Sequence, residues 1–94
     1  MEKVILVIKV EDYKKWKRVF DDNTAFRKTH GSREGYIHCS IDNPNEIVIF
    51  FRWDTMDNAR KFFESEEVKN KMQDAGVQGE PVIYYIDEIE RTIA

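Results

Sequence analysis

The 94 residues include one cysteine, two prolines, four glycines and two histidines. Each shortage excludes something. A lone thiol, Cys39, leaves no intrachain disulfide and fits a reducing cytoplasm. With only His30 and His38 beside that thiol, a closed zinc site lacks ligands, and no metal is expected. Glycine is too sparse for a phosphate-cradling loop: Gly31-Ser-Arg-Glu-Gly35 has the wrong spacing and context. No Gly-x-Ser-x-Gly nucleophile elbow is present either. Neither sign of charge dominates, with 15 basic and 18 acidic residues and a net charge of -3. That mild acidity argues against nucleic acid or an anionic membrane as a partner. The longest aliphatic run, Val4 to Ile8, is far shorter than the roughly 20 residues a membrane helix needs. The start, Met1-Glu2-Lys3, does not read as a secretory signal peptide.

Hydrophobic residues make up 41% and charged residues 35% of the chain. This suits one globular domain spanning residues 1–94. A domain of this size buries only about 60–65% of its unfolded surface, so a partner would add useful burial.

Apolar residues at 47–51 run without a break, as expected of a central strand covered on both faces. Residues 4–10 repeat the pattern, with Val4, Leu6, Ile8 and Val10 on one face and Ile5 and Val7 on the other. Between them, Asp12 can cap a helix whose stripe is Tyr13, Trp16, Val19, Phe20 and Phe26, closed by His30-Gly31. Residues 33–35 read as a polar connection and residues 36–41 as a second strand. The turn signal Asp42-Asn43-Pro44-Asn45 joins that strand to the central one as a hairpin. After Trp53-Asp54-Thr55, residues Met56, Ala59, Phe62 and Phe63 form a helical stripe. Val68, Met72 and Ala75 form another, which lies on the far side unless the helix breaks near Ser65. We expect that break, with Ser65 as cap and Gly76 as terminator. Gly79 and Pro81 mark a loop before a last strand over 82–89.

The order β-α-β-β-α-β, with right-handed crossovers, gives an α+β ferredoxin-like domain. Both helices lie on one face of a four-stranded antiparallel sheet. The other face would expose Ile5, Val7, Val48 and Phe50. A homodimer packed sheet on sheet is the simplest cover.

Three segments then carry a resemblance. They are residues 12–16 (Asp-Tyr-Lys-Lys-Trp), residues 26–32 (Phe-Arg-Lys-Thr-His-Gly-Ser), and Trp53-Asp54-Thr55 followed by Ala59 and Phe63-Glu64-Ser65. Together the chain resembles the antibiotic biosynthesis monooxygenase-like group of the dimeric α+β barrel superfamily, over almost its whole length. The resemblance implies a homodimer whose two sheets close a barrel, and a pocket between each sheet and its helices. It also implies a range of activities, from cofactor-independent oxygenases acting on quinols or polyketides to haem degradation, alongside members without known activity. Relatives with haem-degrading or quinol-oxidising activity often carry a histidine in the helix after Trp53, and haem-degrading ones an asparagine in strand one. This chain has Phe62-Phe63 and no strand-one asparagine, so haem is the least favoured reading and no cofactor is expected.

The expected function is therefore a homodimer with a pocket for a small aromatic or apolar ligand, acting as a cofactor-independent monooxygenase on a quinol or phenol. The alternative is a dimeric binding or structural module without catalysis. The expected ligand-binding residues are Trp53, Tyr36, Trp16, Phe20 and Phe62. The expected catalytic base is His38, whose imidazole can accept a proton near neutral pH. Tyr36 and Ser40 share its strand face, and the plainer reading of that strip is a surface facing solvent or the dimer barrel. His38 and Cys39 point to opposite faces and cannot readily share a metal ion. His30 suits a helix end, and Cys39 a small packed position. Tyr84 and Tyr85 alternate, so one of them can offer a phenol to a cavity. The pairing of His38 with Trp53 requires both to face one cavity.

Overall fold

A computed structural model describes residues 2–94. β1 (Glu2–Val10) lies between β3 (Glu46–Trp53) and β4 (Val77–Ile86), and β2 (Ser32–Cys39) flanks β3. The sheet order is β2-β3-β1-β4 and every neighbouring pair is antiparallel. The expected ferredoxin-like α+β architecture is therefore present. Alternation explains which face is covered. Val4, Leu6, Ile8 and Val10 of β1 and Ile47, Ile49, Phe51 and Trp53 of β3 are buried. The helices lie over that face, contributing Trp16, Ala59, Phe62, Phe63 and Val68 to the core.

Caps set the helix ends. Asp12 Oδ1 accepts from the Lys14 amide at 3.0 Å and opens α1 (Tyr13–Asp22). Thr55 Oγ1 accepts from the Asn58 amide at 3.1 Å and opens α3 (Met56–Phe63). Ser65 performs the expected break. Its hydroxyl donates to the Phe62 carbonyl at 2.8 Å and accepts from the Val68 amide at 3.2 Å, opening α4 (Glu66–Asp74). Gly76 then turns the chain at φ 88°.

Three elements differ from the sequence expectation. The first helix is two helices, α1 and α2 (Thr24–Thr29). Asn23 lies between them, its backbone N–H donating to the Val19 carbonyl at 3.2 Å and its side-chain amide to the same oxygen at 2.8 Å. β2 starts at Ser32, not 36, and ends at Cys39, not 41. Ser32 pairs with Trp53, and a register shift follows before Glu34 pairs with Arg52. β4 starts at Val77, not 82, and ends at Ile86, not 89. Gly79 and Pro81 sit inside it. An edge strand tolerates a missing amide donor, and the ladder shifts register just there, between Val7 and Lys9.

The open face of the sheet has its own order. Cross-strand register sets His38, Val48, Val7 and Val82 in one row, and Tyr36, Phe50, Ile5 and Tyr84 in the next. Tyr84 is 54%, Tyr36 50% and Val82 45% exposed. Charged residues flank these rows, Glu34, Arg52 and Lys3 beyond one and Glu46 and Lys9 beyond the other. An apolar centre with a polar margin is the layout of a protein interface.

Candidate functional site

The covered side of the sheet holds a small cavity. Trp16 and Phe20 of α1 reach it from above, Phe26 from α2, Phe62 from α3 and Met72 from α4, with Leu6 and Phe51 in its floor. The rings interlock. Trp16 and Phe20 centroids are 4.9 Å apart, Phe26 and Phe62 5.5 Å, and Phe20 and Phe51 6.3 Å. The cavity is about 70 Å³, roughly half the ~150 Å³ of an apolar cavity known to admit benzene. A larger ring enters only if side chains move. Met72, with three rotatable bonds, is suited to that.

Two cations border this apolar space. Arg27 stands 3.5 Å above the Phe20 ring and donates to the Phe20 carbonyl. Lys71 Nζ lies 4.8 Å from the Phe26 ring centroid and donates to Asn23 Oδ1 at 3.1 Å. Burial pulls the Arg27 pKa down to about 10, and the attraction of Asp21 offsets only part of that. These residues were not foreseen as part of a site. The available signal was their phase: Arg27 follows Phe20 by seven residues, and Lys71 follows Val68 by three, so each shares an apolar face.

The cavity brings together Trp16, Phe20 and Phe62 from the expected set. Trp53 is fully buried one layer behind, 5.0 Å from Phe62 and 5.1 Å from Phe63. Its indole Nε1 donates to the His30 carbonyl at 2.9 Å. Tyr36 and His38 are elsewhere. They pair with Phe50 and Val48 on the open face, whereas Trp53 belongs to the covered face. The expected meeting of His38 and Trp53 in one cavity therefore does not occur, because side chains at odd positions of β3 point away from even positions of β2 at this register. His38 Nδ1 lies 3.3 Å from the Val48 carbonyl oxygen. Tyr36 donates to Glu34 Oε2 at 2.9 Å, and that hydrogen bond raises the phenol pKa.

His30 fulfils its expected helix-end role. Its Nδ1 meets the Phe26 carbonyl at 2.8 Å, and its ring stacks 4.5 Å from Phe26. Cys39 is exposed, not packed as expected. Of the two tyrosines, Tyr84 faces the open side and Tyr85 the helices, beneath Arg60 at 4.2 Å. Among the described residues the buried Tyr85 hydroxyl has no hydrogen-bond partner, and burial raises its pKa. A second, more open hollow of about 330 Å³ lies at the hairpin end, walled by Tyr13, Ile37, His38 and Pro44. With a single aromatic ring it offers little grip on a planar ligand.

Among the described residues no cluster of three or more His, Cys, Asp or Glu could hold a metal ion, and no helix is long and apolar enough to cross a membrane. Nor do the cavity residues fit haem. No imidazole lines the space, which is far too small for a porphyrin. A haemin titration should give no saturable one-to-one Soret band. A band at one haem per chain, abolished by His30→Ala or His38→Ala, would contradict this.

No family model matches the chain. A relative of known sequence is protein SERAC1 of Danio rerio, 32% identical over 90 residues that cover 77% of this chain. The chain spans only 14% of that protein's length. Solved structures align over nearly all of it. A suggested antibiotic biosynthesis monooxygenase from Bordetella bronchiseptica superposes with a TM-score of 0.73 at 17% identity, covering 95% of this chain and 97% of the other. SnoaB, a cofactor-independent oxygenase from Streptomyces nogalater, gives 0.64 at 17% identity, covering 94% and 96%. The monooxygenase from the gene ActVA-Orf6 of Streptomyces coelicolor, in complex with the ligand nanaomycin D, gives 0.62 at 13% identity, covering 99% and 91%. The resemblance to the antibiotic biosynthesis monooxygenase-like group is thus shown at the level of the fold.

Proposed function

We propose that this chain, folded like those monooxygenases, works as a homodimer that holds a small aromatic or apolar ligand between its sheet and its helices. The observation that carries the reading is the aromatic-walled cavity of Trp16, Phe20, Phe26 and Phe62. Its walls suit a flat or apolar guest. The homodimer rests on the bordered apolar rows of the open sheet face. Residence in the cytoplasm rests on an exposed free thiol, which a reducing compartment protects.

The catalytic form of the reading is a cofactor-independent monooxygenase. There a quinol or phenol supplies the electrons to oxygen, and a dry pocket protects the intermediates. SnoaB, a cofactor-independent oxygenase by description, supports it through a shared fold. One observation favours the non-catalytic module instead. The ionisable groups lining the cavity are the basic side chains of Arg27 and Lys71, and among the described residues no carboxylate or imidazole lines it as a base.

Oxygen consumption with a panel of quinols and anthrone-like phenols, on metal-free protein, separates the two. Ligand binding is followed in parallel by tryptophan emission, and Trp16→Phe should abolish most of the change. Binding accompanied by oxygen uptake establishes the oxygenase. Binding without uptake across the panel leaves the module. No binding by any aromatic sinks the pocket itself.

A further inference from the structure

The cations at the cavity are more than helix caps. Arg27 serves the end of α1 through the Phe20 carbonyl, and Lys71 does so through Asn23, whose amide holds the Val19 carbonyl. Either task can be done from solvent by a side chain lying along the surface. Here both side chains are half-buried and line an apolar space. Among the described residues neither forms an ion pair. Asp21, whose charge reaches Arg27, is itself held by Lys17 at 2.7 Å. Two cations have thus been brought to one aromatic cavity, partly desolvated, with no carboxylate opposite them. Such an arrangement lacks an anion.

We infer that the ligand is an amphiphilic anion, with an apolar or aromatic body among Trp16, Phe20 and Phe62 and a carboxylate or phenolate oxygen held by Arg27 and Lys71. The inference rests on the pocket proposed above and names its ligand class. Arg27, whose Nη1 and Nη2 already donate to the Phe20 carbonyl and to Thr24 Oγ1, keeps further N–H groups for an anion, and Lys71 adds a point charge. A phenol bound there is also acidified, since nearby cations favour the phenolate. Its proton leaves to solvent, so the cavity needs no base of its own to hold an electron-rich ring.

A matched pair of small ligands tests this on the whole chain. 3-Phenylpropionate and 3-phenylpropanol share a body and differ in the head group. Their binding is read from the Trp16 indole signal in 15N-resolved NMR, which also reports whether each variant remains folded. The propionate should bind at least about tenfold more tightly, as charge-assisted hydrogen bonds predict. Arg27→Gln and Lys71→Gln should each cut that preference, taken as the ratio of the two affinities in the same variant, severalfold, and Arg27→Lys should retain most of it. Equal affinities in the unaltered protein, or a preference that survives both glutamine variants, would overturn the inference while the pocket stands. If neither compound moves the Trp16 signal, the pocket reading fails and the inference fails with it.

Discussion

The Val48→Asp variant is expected to sediment as a single 11.2 kDa chain, and the unaltered protein at micromolar concentration is expected at twice that mass. Val48 sits centrally on the open face, with His38 on one side and Val7 on the other, next to the row of Tyr36, Phe50 and Ile5. A stable interface buries about 1,200–2,000 Å² in total, and these two rows are the surface available for it. A carboxylate placed among them loses its water without gaining a partner, at about 3 kcal/mol or more. Two-fold symmetry puts two such groups in each dimer, so the dissociation constant should rise by about ten-thousand-fold. Ile41→Asp serves as control. Ile41 is fully exposed and lies beyond the end of β2, so its mass should stay that of the dimer. An unaltered protein that sediments as a monomer ends the sheet-on-sheet proposal.

Much of the fold was legible because alternation and punctuation agree. β1 and β3 are apolar on both faces, so they had to be central, and the topology puts them there. The break at Ser65 was legible because the Phe62 and Val68 stripes fall out of phase. The break at Asn23 was not, because Trp16, Phe20 and Phe26 stay in phase across it. Asn23 caps α1 with both its backbone and its side-chain N–H on the Val19 carbonyl, which leaves no trace in periodicity. β4 began earlier than expected for a related reason. Gly79 and Pro81 punctuate a central strand but not an edge strand, and edge position is a property of the sheet as a whole.

The candidate site divided along the same line. Trp16, Phe20 and Phe62 were legible as apolar ring positions on helical stripes, and helices on one side of a sheet converge. Tyr36, His38 and Trp53 depended on hairpin register, where a slip by one residue exchanges the faces. The observed pairing of His38 with Val48 separates His38 from Trp53. Arg27 and Lys71 escaped notice because charged residues on helices usually face water. Only the packing shows their charged ends against the Phe20 and Phe26 rings.

Gly31→Ala is expected to be the most damaging small substitution in the monomer fold. Gly31 holds φ at 115°, which side-chain-bearing residues rarely adopt, and this alone costs about 1–3 kcal/mol. The space is also taken. A Cβ there would lie 2.3 Å from Asp54 Oδ1 and 2.7 Å from Trp53 Nε1. Those atoms cannot yield freely. The Trp53 indole is tied to the His30 carbonyl, the Asp54 amide donates to the Gly31 carbonyl at 2.9 Å, and the Asp54 carboxylate accepts from Asn58 at 3.1 Å. Gly31 thus clamps the end of α2 and the start of β2 to the point where β3 passes into α3. Displacing the indole leaves a buried donor unpaired, adding about 1–3 kcal/mol. The sum, about 2–6 kcal/mol, is a large part of the roughly 5–15 kcal/mol that holds a domain folded. Gly79→Ala separates the two causes, because Gly79 also has positive φ, at 69°, but nothing lies within 4 Å of its Cβ position. Urea denaturation should show a loss of about 1–3 kcal/mol for Gly79→Ala, near the backbone cost alone, and a clearly greater loss for Gly31→Ala. Trp53→Phe, which keeps an aromatic ring but removes the indole donor, should give an intermediate loss. Equal losses at the two glycines would mean that backbone conformation accounts for the whole effect and that the indole clamp contributes nothing.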